Sequence, residues 1–116
     1  MLFKKFTCNS VLILFTLNLI LFSQPTSWIS KGIGGGGALF SPSFNPNSAN
    51  EIFVGCDMSE LFRSSNIGVS WQPVNFAQMQ GGSNSKVQFN VITPLLLYCI
   101  NHRNDVSTPS RSTDGG

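Results

Sequence analysis

Arg63-Ser64-Ser65-Asn66-Ile67-Gly68-Val69-Ser70-Trp71 is the stretch of this 116-residue chain that decides how the rest is read. The β-prone pair Leu61-Phe62 runs into it. Asn66 can bond the backbone of its own turn, and Gly68 can take the positive φ a tight turn needs. Trp71 leads out, a large apolar ring placed to fold back on the hairpin. The same grammar returns at Arg111-Ser112-Thr113-Asp114-Gly115-Gly116. Ser64 aligns with Ser112, Asn66 with Asp114 and Gly68 with Gly116, 48 positions apart. Upstream, Phe44 and Ile52-Phe53-Val54 align with Phe89 and Leu97-Tyr98-Cys99, 45 positions apart, and Pro46 answers Pro94. A serine-rich loop with one tryptophan could be an active loop. Its echo makes it structural punctuation, so Ser64, Asn66, Gly68, Trp71, Ser112, Asp114 and Gly116 are read as turn residues.

Outward from this turn the composition is all-β. Beyond residue 23 no apolar stretch has the 3.6 period of a helix. Residues 38–44 form a first strand, in which Pro42 suits an edge position or a bulge. Asn45 to Asn50 is turn chemistry. Strands at 51–56, 60–64 and 70–74 complete a four-stranded antiparallel meander. Residues 75–86 are a long polar loop. A weak strand is expected at 87–92 and a buried one at 95–100, followed by a loop over 101–109 and the start of another edge at 110–113. A repeat of about 45 residues with four strands per unit is the sequence mark of a β-propeller blade. Blade one then spans about 38–75, and blade two begins at about 87–116.

Ser64-Ser65-Asn66-Ile67-Gly68-Val69-Ser70-Trp71 resembles the Asp-box (BNR) motif, Ser-x-Asp-x-Gly-x-Thr-Trp, with Asn66 in place of Asp. Ser112 to Gly116 resembles its first five positions. Asp-box propellers include sialidases, sortilin-like ectodomains, photosystem assembly factors and xyloglucan-cleaving glycoside hydrolases. The glycine run, the Asn-Pro turn, Ile52-Phe53-Val54-Gly55-Cys56-Asp57 and Leu61-Phe62-Arg63 look most like the first blade of the last group. That resemblance covers residues 28–116. It implies inverting hydrolysis by two carboxylates about 6.5–9.5 Å apart, with Asp57 in the position of the base. Here Met58-Ser59-Glu60 follows Asp57 where the family has glycines, and the partner acid would lie in a second propeller. A plain turn or surface carboxylate is the alternative for Asp57, and Glu60 reads as a solvated strand residue.

The amino terminus tells where the chain goes. Lys4 and Lys5 precede an apolar run, Val11 to Phe22, too short for the roughly 20 residues that span a bilayer. That is the layout of a secretory signal peptide, residues 1–23 with a boundary between 23 and 27. It implies a secreted, periplasmic or extracellular protein without a stable membrane span after cleavage; an uncleaved anchor is the alternative. About 93 residues then remain. Their charges balance, which excludes the basic patch a nucleic-acid binder needs. Cys56 and Cys99 either form one disulfide, as export permits, or stay as two buried thiols. With one distant histidine they do not make a zinc site. The run Gly32 to Gly37 lacks the Gly-Lys-Ser/Thr ending and helix of a phosphate loop, and no cofactor is expected.

These readings converge on an exported polysaccharide-binding or polysaccharide-hydrolysing propeller. One blade and most of a second make this chain an amino-terminal piece, inactive alone because it lacks a groove and a partner acid. The alternatives are a non-enzymatic sortilin-like propeller for protein or glycan, and a small exported β domain acting alone. Oligomeric state is not legible.

Overall fold

The computed structural model describes residues 27–33 and 37–116. The expected signal segment and most of the glycine run lie outside the described residues. The chain divides into residues 1–30 and a unit over Lys31–Gly116, and the fold is that of the second unit.

Seven strands and no helix are present among the described residues: β1 (Leu39–Phe44), β2 (Ile52–Cys56), β3 (Leu61–Ser64), β4 (Gln72–Pro73), β5 (Gln88–Phe89), β6 (Leu97–Arg103) and β7 (Val106–Ser112). They make two antiparallel sheets, one ordered β1-β2-β3-β4 and one ordered β5-β6-β7. The first is the expected meander. Pro42 lies on its edge strand at a register break between Phe40 and Ser43, where Ser41 takes φ 52°. A bulge on an edge is where proline's missing N–H does least harm.

The second sheet departs from expectation in two places. Residues 101–109 are not a loop. β6 runs on to Arg103 and turns at Asn104-Asp105, and β7 returns with Pro109 paired to Ile100. Asn104 and Asp105 both take positive φ, the primed-turn geometry that matches strand twist and that these two side chains tolerate. Pro109 is no breaker, because only one edge of β7 is paired. The strand expected at 87–92 shrinks to β5.

The two registers repeat. Phe44 pairs with Ile52 and Phe89 with Leu97; Ile52 pairs with Ser64 and Leu97 with Ser112. β1-β2-β3 and β5-β6-β7 are the same three-stranded arrangement.

Alternation along each strand sends one face into a shared core. Phe53, Leu61, Met79, Val87 and Leu97 are buried together, with Val74, Phe89 and Cys99 packed against them. Phe53 and Phe89 meet with ring centroids 6.0 Å apart, tilted by 53°, within the range favourable for aromatic pairs. The 75–86 loop ties the sheets rather than merely joining them. Ser85 Oγ donates to Ile100 O at 2.7 Å, His102 N–H donates to Gln80 O at 2.9 Å, and Gly81 N–H donates to Ser59 O at 2.9 Å. A Cβ on Gly81 would stand 2.1 Å from Glu60 O, so only glycine permits this approach.

One ion pair sits at the junction. Arg63 Nε donates to Glu51 Oε1 at 2.8 Å, and its Nη2 donates to the same oxygen. The side-chain amide of Asn45 donates to Glu51 Oε2. The guanidinium lies 5.5 Å from the Phe53 ring centre, and Nη1 donates to Gly116 O at 3.0 Å, across to the second sheet. Glu51 is buried, so its charge must be met by these donors. Glu51→Gln is expected to cost about 2 kcal/mol, read as a lower urea midpoint with an unchanged slope.

Candidate functional site: the paired turns and Asp57

The two turns share one hydrogen-bond pattern. In the first, Ser64 Oγ accepts from Asn66 N–H at 3.3 Å and Gly68 N–H at 2.8 Å, and donates to Asn66 Oδ1 at 3.0 Å. In the second, Ser112 Oγ accepts from Asp114 N–H at 3.3 Å and Gly116 N–H at 2.8 Å, and donates to Asp114 Oδ1 at 2.6 Å. The anchoring bond repeats as well: Ile67 N–H donates to Asn50 O and Gly115 N–H to Leu95 O, both at 3.0 Å. Ile67 and Gly68 take φ 57° and 74°; Gly115 and Gly116 take 94° and 87°. Each turn is therefore closed by one serine hydroxyl and one Asx carbonyl or carboxylate, with two successive left-handed residues.

The copies differ in charge and strain. Asp114 is ionised more readily than an ordinary carboxyl, first because Ser112 bonds it and then because Gly116 does, with Arg63 adding attraction. Asn66 replaces charge with a donor, and its Nδ2 reaches Ser70 Oγ at 2.8 Å while Oδ1 accepts from Ser70 N–H at 2.9 Å. Trp71 Nε1 donates to Lys31 O at 2.8 Å, and the ring lies beside Gly68.

Asp57 stands at the exposed β2–β3 connection. Its Oδ1 accepts from Ala38 N–H at 2.8 Å, and its own N–H donates to Ala38 O at 3.2 Å, extending the β1–β2 ladder by one step. Among the described acidic residues, Glu51 is held by Arg63 and Asn45, and Asp114 by its turn. Glu60 O accepts from Cys56 N–H at 2.8 Å, a backbone bond that leaves its carboxylate uncommitted.

The structure holds both cysteines as free thiols, not as a Cys56–Cys99 disulfide. They belong to different sheets with separate partners. Cys56 Sγ accepts from Met58 N–H at 3.4 Å and lies 3.8 Å from Asp57 Oδ1. Cys99 lies 3.8 Å from Ile100 O, and burial pushes its thiol up to about 11, the range of an inert cysteine. No group of three or more His, Cys, Asp or Glu among the described residues could hold a metal ion. No helix among them is long and apolar enough to cross a membrane.

Two features escaped the sequence. His102 Nε2 is buried without a hydrogen-bond partner while Nδ1 meets Ser107 Oγ at 2.8 Å. A cavity of about 340 Å³ is lined by Phe53, Leu61, Met79 and Leu97 together with Arg111 and Thr113. Neither carries a spacing signal, since both arise where separate strands meet. Compared with family models, curated proteins and solved structures, the chain matches none.

The turn geometry makes two predictions. Ile67 is 54% exposed and β-branched at positive φ, where its counterpart is glycine. Ile67→Gly should raise stability by roughly 0.5–1 kcal/mol, as relief of strain exceeds the added chain entropy, measured by urea unfolding. Asp114 has a folded pKa below its ordinary 3.8, so the unfolded chain binds the proton first as pH falls. Its stabilisation is full above that range and fades below it. The gap in urea midpoint between the chain and Asp114→Asn should therefore close as pH falls through this window.

Proposed function

We propose that the chain forms two blades of an exported Asp-box β-propeller directed at polysaccharide, the larger protein binding or hydrolysing a β-glucan. The observation that carries this reading is the duplicated turn: the same serine, Asx and glycine bonds close the same corner of two sheets with the same register. A sequence echo could be chance, but equal placement in three dimensions is what stacked blades require.

The carbohydrate half rests on Asp57. It is exposed at the end of β2, with one oxygen pinned by Ala38 N–H, a fixed carboxylate able to accept from sugar hydroxyls. As an inverting base it needs a proton donor across a water-sized gap. Glu51 and Asp114 are committed elsewhere, Glu60 reads as a solvated strand residue, and the resemblance puts the partner acid in a second propeller, so this chain is expected to bind without cutting. The sortilin-like alternative, a non-enzymatic binder of protein or glycan, rests on the same paired turns.

Migration through native gels cast with xyloglucan, or with an α-glucan as control, tests the reading. The full chain should be retarded by xyloglucan alone, Asp57→Asn should lessen the retardation, and no reducing ends should appear. Equal migration in all gels would overturn the polysaccharide half and leave the blade geometry standing.

A further inference from the structure

The second turn sets a glycine directly after an aspartate, and its geometry calls for both. Asp114 Oδ1 accepts from Ser112 Oγ at 2.6 Å and from Gly116 N–H at 3.4 Å, the local bonding that suits an Asx side chain to a turn. Gly115 is buried and takes φ 94°. A Cβ there would stand 3.3 Å from Leu95 Cδ2, so any side chain would meet backbone strain and a packed neighbour together. The first copy answers the same demand differently. Asn66 is followed by Ile67, which bears the strain at φ 57°. The second copy avoids that strain by pairing Asp114 with Gly115.

That pairing has a chemical consequence. In an aspartyl–glycyl sequence no side chain shields the glycine nitrogen. The Gly115 nitrogen can attack Asp114 Cγ: a C–N bond forms, the nitrogen gives up its proton, and a carboxyl oxygen leaves as water. The resulting succinimide takes up one water and opens. Cleavage of the Cγ–N bond restores aspartate. Cleavage between the same nitrogen and the Asp114 main-chain carbonyl carbon leaves isoaspartate, with the chain running through Cγ. Water is the sole co-reactant, and the net change is an isomerisation. At Asn66 the attacking nitrogen would be that of Ile67, whose β-branched side chain crowds it. The closed second turn opposes the reaction at each step. Gly115 N–H donates to Leu95 O at 3.0 Å, so the nucleophile is engaged. Ser112 and then Gly116 hold the Asp114 carboxyl ionised below its usual range, whereas the departing oxygen needs a proton.

We infer that Asp114-Gly115 is a modification site, at which isoaspartate forms through a succinimide when the Ser112 corner opens and is held back while that corner is closed. The gate is local opening of one turn, which needs no unfolding of the sheets. Isomerisation makes each opening that reacts permanent. It adds one methylene to the main chain inside the ring that Ser112 closes, and so displaces Gly116 N–H from Ser112 Oγ, now 2.8 Å away. Gly116 O, which accepts from Arg63 Nη1 at 3.0 Å, moves with it. The modification therefore loosens the tie between the sheets. The inference rests on the second turn alone and stands apart from any action on polysaccharide.

The test incubates the full chain for weeks in mildly acidic buffer, folded and in urea above its unfolding midpoint. Trypsin then cuts after Arg111, and the peptide beginning Ser112-Thr113-Asp114 is resolved against synthetic aspartyl and isoaspartyl standards. The unfolded chain should accumulate isoaspartate at 114. The folded chain should do so roughly tenfold or more slowly, the protection expected of a turn hydrogen bond that must first break. Ser112→Ala should isomerise faster than the parent chain in buffer and at the same rate in urea. If circular dichroism shows that variant unfolded, the parent chain in sub-denaturing urea takes its place, and isomerisation should rise in step with hydrogen exchange at the Gly115 amide. The separated isoaspartyl chain should exchange its Gly116 amide faster than the parent. Absence of isoaspartate in urea, or equal rates in the folded and unfolded chain, would overturn the inference. So would isomerisation indifferent to both Ser112→Ala and Gly115 exchange. Deamidation of Asn66 in urea as fast as the change at Asp114 would remove the part assigned to glycine, and would also overturn it.

Discussion

The Glu51–Arg63 pair is the constraint on which the arrangement of the two sheets depends. A buried carboxylate is tolerable only when its lone pairs are met. Here the guanidinium fork takes one oxygen and Asn45 takes the other. Meeting that demand fixes the Asn45–Glu51 turn, the start of β2 and the middle of β3 at once. The same guanidinium then covers the Phe53 ring and reaches Gly116 O. A single planar side chain thereby joins a turn, a core aromatic residue and the far end of the second sheet. Lysine could offer the charge but not the fork.

The two halves solve the same backbone problem with different side chains. Both close their corner through a serine hydroxyl. The first then relies on neutral Asn66, on Trp71 bound to Lys31 O and on a strained Ile67. The second relies on the charge of Asp114 and on two glycines. The first copy is braced from outside, by the ion pair and the tryptophan; the second is relaxed in itself. On the proposed reading, structural duplication freed the side chains to diverge.

Local chemistry made much of the fold legible. Ile52-Phe53-Val54 between turn residues marks β2, and Pro42 marks the bulge in β1, because each signal is contained within a few neighbouring residues. Asn104-Asp105 lies within the stretch 101–109 that reads as a loop, and whether the proline that closes this stretch can sit in a strand depends on which edge is paired. Met79 and Val87 sit in or beside a polar loop, and nothing nearby in the chain says that they enter the core. The tying role of Gly81 was equally silent, since its reason is a carbonyl twenty-one residues away at Glu60. Of the candidate site, the turn residues were visible as a repeated pattern. The neighbours of Asp57 were not: that Ala38 holds its carboxylate follows from β1–β2 pairing.

The sequence by itself determined the β class, the repeated turn and the balance of charge, because residue type and short spacing suffice for these. Only the tertiary structure decided that Cys56 and Cys99 stand as separate thiols, that Glu51 and Asp114 are committed to structural bonds, and that Arg111 is exposed with no ion pair among the described residues. The physical reason is common to all three. Each depends on which strand lies beside which, and a backbone edge or a side-chain charge is spent or free only in the company of its neighbours.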